Sequence, residues 1–205
     1  NLLENDHPLF MGHPGAVGQR AANFVLQNAD LLITIGTRLA LLQTGFNFAG
    51  YAKNAYHVMV DIDKAELDKP TLHPNLKIQG DAGDFIRMLL NAKIHVGDFS
   101  NWIAKGKEWN IKYPSLNPEW LQNTKYVNSF FFVDELSSQM KTEDVYCGGR
   151  AGTCVDAIIQ AFKVKRNQKV FVTKGLSSMG NGLPAAIGAA YATGKKIILV
   201  NGDGG

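Results

Sequence analysis

Apolar runs of strand length alternate with stretches of helical period along most of the chain. In the first half, "DLLITIG" (30–36), "AYHVMVDID" (55–63) and "LKIQGD" (76–81) each read as a buried strand that closes on Gly or an acid. Around them apolar residues recur at helical spacing. Val17, Ala21, Phe24 and Val25 precede the first strand, and Phe85, Met88 and Leu89 follow the third. Continuous apolar strands separated by amphipathic helices imply a parallel sheet covered on both faces.

The pattern breaks over residues 97–126, which hold all three Trp and two of the seven Pro. A helical stretch around Trp102–Trp109 precedes an extended path punctuated by Pro114 and Pro118. A freely flexible linker would be poorer in Trp, so this segment is expected to pack down as a connection. The alternation then resumes. Residues 127–140 and 153–162 have helical period, while "DVYCGG" (144–149), "KVFVT" (169–173) and "KKIILVNGD" (195–203) read as strands. Between the last two strands runs a helix of small residues, "LPAAIGAAYAT" (183–193), with Pro184 in its first turn, where Pro is tolerated. The expected fold is therefore α/β, with two doubly wound parallel-sheet units. The expected boundaries are 1–95 and 126–205, joined by 96–125.

Composition narrows the class. With 45% hydrophobic and 19% charged residues, the chain is that of an ordinary globular protein. The net charge of +3 is spread thinly. Its densest basic patch, "KVKRNQK" (163–169), reads as a solvated turn, so no nucleic-acid partner is expected. No apolar stretch reaches membrane-spanning length, and "NLLENDHPLF" lacks the basic flank of a signal peptide. Cys147 and Cys154 lack the partners of a metal motif, and reduced thiols in a cytoplasmic protein are expected. The five His are scattered without metal-ligand spacing. His13-Pro14-Gly15 reads as a surface turn, and Phe130–Phe132 as core and interface.

Two glycine-rich loops carry the candidate chemistry. "IILVNGDGG" (197–205) runs a strand straight into Gly-Asp-Gly-Gly. Such a loop lies at the carboxyl edge of a parallel sheet, where ligands bind in open α/β folds. Its N–H groups suit phosphate, and a short carboxylate there suits Mg²⁺. "GLSSMGNGLPAAIGAA" (175–190) is a second glycine-rich entry into a helix and points to the same edge.

"SSMGNGLPAAIGAA" followed by "IILVNGDGG" resembles the diphosphate-binding domain of thiamine-diphosphate-dependent enzymes of the acetolactate synthase-like group. "HPLFMGHPGAVGQRAANFVLQNADLLITIGTRL", with "TGFNF" and "HVMVDIDKAEL" after it, resembles that group's central domain. The resemblance implies a fragment: the later part of a central domain and the first half of a diphosphate-binding domain. It makes Asp203 the first Mg²⁺ ligand, with Gly202, Gly204 and Gly205 as the glycines of close approach. Met179 would be the large apolar residue that holds the cofactor bent, and Ser177 the residue whose carbonyl meets its amino group. Gly152 and Thr153 align with the earlier diphosphate loop, although "GGRAGTC" departs from that group's Gly-Gln-His. Arg38 would face the diphosphate of FAD, with Asp61 and Asp63 at its adenosine end, or would be an ordinary strand-end charge.

No catalytic side chain is expected within this stretch, because the family's activating Glu belongs to its pyrimidine domain and comes from a partner subunit. The implied activity is decarboxylation and carboligation of 2-keto acids, pyruvate to 2-acetolactate, in branched-chain amino acid biosynthesis. The implied assembly is a homodimer or homotetramer. Two alternatives stay open. One is another thiamine-diphosphate decarboxylase or lyase with a different keto substrate. The other is a nucleotide-binding module without catalysis, against which stands the missing Gly-x-Gly-x-x-Gly opening.

Overall fold

The structure, a computed structural model, describes residues 3–122, 125–149, 152–172, 175–176 and 178–202. The chain divides into two compact units, residues 13–113 and residues 1–12 with 114–205.

The 13–113 unit is built on the parallel strands β1 (Leu31–Ile35), β2 (Tyr56–Asp61) and β3 (Leu76–Gln79), in the order β1-β2-β3. Helices α1 (Arg20–Gln27), α2 (Leu41–Thr44), α3 (Lys64–Asp68), α4 (Ala82–Asn91) and α5 (Ser100–Lys112) surround them. The central strand β2 is buried on both faces. Met59 packs with Leu39, Leu67 and Leu72 on one side. Val58 and Val60 meet Phe85 of α4 on the other. Asp81 caps α4 by accepting hydrogen bonds from the N–H groups of Gly83 and Asp84. The Trp-bearing segment is shared between the units. Helix α5 packs on α1, with Phe24 centred 6.0 Å from Trp109 and 5.0 Å from Tyr113. Trp120 belongs to the other unit, where it meets Phe130.

That second unit holds α6 (Ser129–Gln139), β4 (Val145–Gly148), α7 (Thr153–Ala161), β5 (Val170–Phe171), α8 (Gly182–Thr193) and β6 (Ile197–Val200). Its three strands are parallel in the order β5-β4-β6. Each strand residue turns the opposite way from the next, so β4 shows where its helices lie. Tyr146 packs with Ala157 and Ile158 of α7 and with Phe162, 4.8 Å between ring centroids. Its neighbour Cys147 aims its thiol at the carbonyl of Gly182 in α8, 3.8 Å away. Helices α7 and α8 therefore cover opposite faces, the doubly wound arrangement that the sequence pattern implies. Residues near the start of the chain are tied to this unit. Asn5 N–H donates to the Val164 carbonyl (3.3 Å), and Val164 N–H donates to Asn5 Oδ1 (3.1 Å).

Three of the four basic residues of the turn 163–169 find partners close by. Lys163 pairs with Asp134 at 2.6 Å, Arg166 with Glu4 at 3.6 Å, and Lys165 donates to the carbonyls of Ser138 and Met140. Among the described residues no helix is long and apolar enough to cross a membrane. Two short helices, α2 and α3, lie between the strands where the sequence pattern shows none.

Candidate functional site

The chain leaves β4 through α7 to β5 on one side, then returns through α8 to β6 on the other. The direction of winding thus reverses between β4 and β6. In open α/β sheets the crevice at such a reversal, outside the carboxyl ends of the strands, is where ligands bind. Four chain segments converge there: Gly148–Gly149 at the end of β4, Gly152–Cys154 opening α7, Asn181–Gly182 opening α8, and Asn201–Gly202 after β6. The β4–β6 ladder runs on past the strands, with Gly149 N–H donating to the Val200 carbonyl at 2.6 Å.

The opening of α7 requires its glycine. Gly152 caps the helix at φ 70° and ψ −159°, a conformation that side-chain-bearing residues rarely adopt. Gly152 brings no capping side chain, and its carbonyl accepts from Val155 N–H at 3.0 Å. The amino end of α7, with the positive end of its helix dipole, opens at this edge and favours an anion. Gly182 is buried where α8 begins, and Pro184 brings no N–H to that first turn. Two helix amino ends and two glycine-bearing strand ends thus meet at one sheet edge.

The family model for the thiamine pyrophosphate enzyme central domain matches residues 1–89. The model for the C-terminal thiamine-pyrophosphate-binding domain matches residues 150–205, which hold three of the four converging segments. The chain belongs to the thiamine pyrophosphate enzyme family. Its relatives include a probable acetolactate synthase large subunit from Methanocaldococcus jannaschii, 32% identical over 98% of this chain and 34% of the relative. The acetolactate synthase isozyme 1 large subunit of Escherichia coli is 32% identical over 99% of this chain and 35% of its own length. The large subunit from Corynebacterium glutamicum is 32% identical over 97% and 32%. The chain therefore spans about a third of the length of the curated relatives it matches.

Of the residues the sequence singles out, Gly152, Thr153 and Gly202 lie on the converging segments. Met179 precedes α8 and is 81% exposed, a large apolar side chain held out of the core beside Gly180 at φ 77°. Ser177, Asp203, Gly204 and Gly205 lie outside the described residues. Among the described residues no group of three His, Cys, Asp or Glu is arranged to hold a metal.

Arg38 belongs to the other unit, just past β1. It sits at φ 59° and donates from Nε to Glu66 Oε1 at 2.7 Å. Lys69 donates to the carbonyls of Arg38 and Leu39 and pairs with Glu66 Oε2 at 3.2 Å, which pins this left-handed stretch. Asp61 accepts from Asp63 N–H at 3.0 Å, and Asp63 caps α3 through Ala65 N–H at 2.8 Å.

Three residues of the crevice escaped the sequence reading: Gly149, Cys154 and Asn201. The first and last are visible in "GG" and "VNGDGG", but their role depends on a contact between segments some fifty positions apart, which no local pattern encodes.

Proposed function

We propose that the full-length protein is a thiamine-diphosphate- and Mg²⁺-dependent enzyme of the acetolactate synthase type, joining two 2-keto acids with loss of CO₂. The supporting observation is the glycine-bearing edge at the winding reversal, inside the segment that matches the thiamine-pyrophosphate-binding domain. The names of the relatives support 2-acetolactate as product, and pyruvate is the donor this reading takes.

Each residue then has a task of its own. The amino end of α7, opened by Gly152 and Thr153, holds the diphosphate oxygens. Gly202, Gly204 and Gly205 let the backbone approach them, and Asp203 holds Mg²⁺ against them. Mg²⁺ takes one or two protein carboxylates and fills its shell from phosphate, so a single Asp in this loop suits it. Met179 supplies the apolar support under the cofactor, and the carbonyl of Ser177 accepts from its amino group. When bound, thiamine diphosphate supplies the carbanion stabilisation that 2-keto acid decarboxylation requires. The protein's part is to bind it, orient it and keep water out. A homodimer or homotetramer would complete the site, and residues 1–205 alone should show no turnover.

A flavin is a finer element of the same reading. It would require the Arg38 guanidinium to exchange the Glu66 carboxylate for a phosphate. Purified full-length protein without flavin absorbance would exclude it.

Titration calorimetry of the full-length protein should show thiamine diphosphate binding that needs Mg²⁺. Asp203→Ala should abolish the Mg²⁺ dependence and most of the affinity, and unchanged binding in that variant would overturn the metal role. Product analysis with pyruvate separates the activities. Acetolactate supports the synthase reading, whereas acetaldehyde alone would mark a simple decarboxylase.

A further inference from the structure

Asn201 follows β6 and stands two positions before Asp203, and nothing above gives it a task. Its carboxamide lies where two glycines would otherwise carry side chains. A Cβ built on Gly182 would fall 2.8 Å from Asn201 Oδ1, 3.1 Å from Cγ and 3.3 Å from Nδ2. A Cβ on Gly149 would fall 2.7 Å from the same Oδ1 and 2.8 Å from Cys154 Sγ. Carbon atoms do not sit that close to such neighbours without something shifting. One carboxamide therefore fills the gap between the end of β4 and the start of α8.

Backbone conformation does not explain the glycine at 182. It is absent from the positive-φ positions, so alanine would suit its backbone and favour the helix. Further along α8 the other glycine is unconstrained, because a Cβ on Gly188 would meet nothing within 4 Å. Of the two, only the glycine at the amino end is closely approached, and the side chain of Asn201 is what approaches it. Cys147 holds the same helix end from below through the Gly182 carbonyl. The amino end of α8 is thus gripped between a strand-borne thiol and the Asn201 carboxamide.

We propose that Asn201 is a positioning residue of the cofactor edge. Its carboxamide sets the separation between the β4 end and the amino end of α8, the two segments that the thiamine-diphosphate reading puts around the cofactor. This rests on the thiamine-diphosphate reading for its functional half. The spacing role of Asn201 stands on the geometry alone.

The test uses the full-length protein and the variants Gly182→Ala, Asn201→Ala, the double variant and Asn201→Asp. Two quantities are read in each: the thermal midpoint without cofactor, and the Mg²⁺ concentration that half-saturates thiamine diphosphate binding. Gly182→Ala should lower the midpoint and raise the Mg²⁺ requirement about tenfold, the scale expected for overpacking. Asn201→Ala should raise the Mg²⁺ requirement by a similar factor, and Asn201→Asp, of equal size, should restore most of it. In the double variant the new methyl takes the space the carboxamide left, so its losses should be smaller than the sum of the two single ones. Additive losses would overturn the spacing role. A lowered midpoint in Asn201→Ala with its Mg²⁺ requirement unchanged would overturn the positioning role. Wild-type protein that binds no thiamine diphosphate would overturn the functional reading, while the thermal cycle would still decide the spacing.

Discussion

Tyr146 is fully buried in the middle of β4, and its hydroxyl has no hydrogen-bond partner among the described residues. Burial, reinforced by the neighbouring Cys154 and Cys147, pushes its ionisation well above the usual phenol range. An unsatisfied buried hydroxyl costs about 1–3 kcal/mol, while the ring still packs on Phe162. Tyr146→Phe should therefore stabilise the fold by about 1 kcal/mol in urea denaturation. His57 makes the opposite bargain: it is buried, and its Nε2 lies 2.9 Å from Thr34 Oγ1. Burial lowers its pKa below 6.5, and burial does the same to His13. Both are held neutral in the fold, so their contribution is complete above pH 6.5 and is lost as pH falls from 6.5 toward the lowered folded values. Denaturation midpoints should drop across that acidic window, and His57→Gln should flatten the drop while leaving the part due to His13. None of this was legible in the sequence. A Tyr in one strand and a His in another read as ordinary types, and only the partners they find in the fold decide their cost.

At the level of elements, the strands and longer helices were readable because each carries its own period. β2 is the clearest case, since "HVMV" is buried on both faces as a parallel strand should be. Met59→Ala removes a side chain that is 1% exposed among Leu39, Leu67 and Leu72. It should cost about 2–5 kcal/mol by chemical denaturation. Helices α2 and α3 were not readable. They have four and five residues, too short to show a period, and are held by contacts such as the Asp63 cap. The two glycine-rich loops were readable as a site because both are glycine-dense and sit after or between strands. Their meeting point was not, because it depends on strand order.

For the molecule as a whole, the binding reading makes a simple thermodynamic demand. A ligand at a hundred times its Kd stabilises the folded state by about 2.7 kcal/mol. Full-length protein with thiamine diphosphate and Mg²⁺ should melt higher by the equivalent shift, and EDTA should remove the gain. The order β5-β4-β6 has a consequence in time as well as in space. β4 lies between two partners, and the second of them, Ile197–Val200, leaves the ribosome some fifty residues after β4 does. Until then one edge of β4 is an open row of N–H and C=O groups, the kind of template that recruits stray strands. During synthesis this unit is therefore exposed to mispairing for as long as it takes to make α7, β5 and α8, and a nascent chain stalled before residue 197 should be a chaperone client.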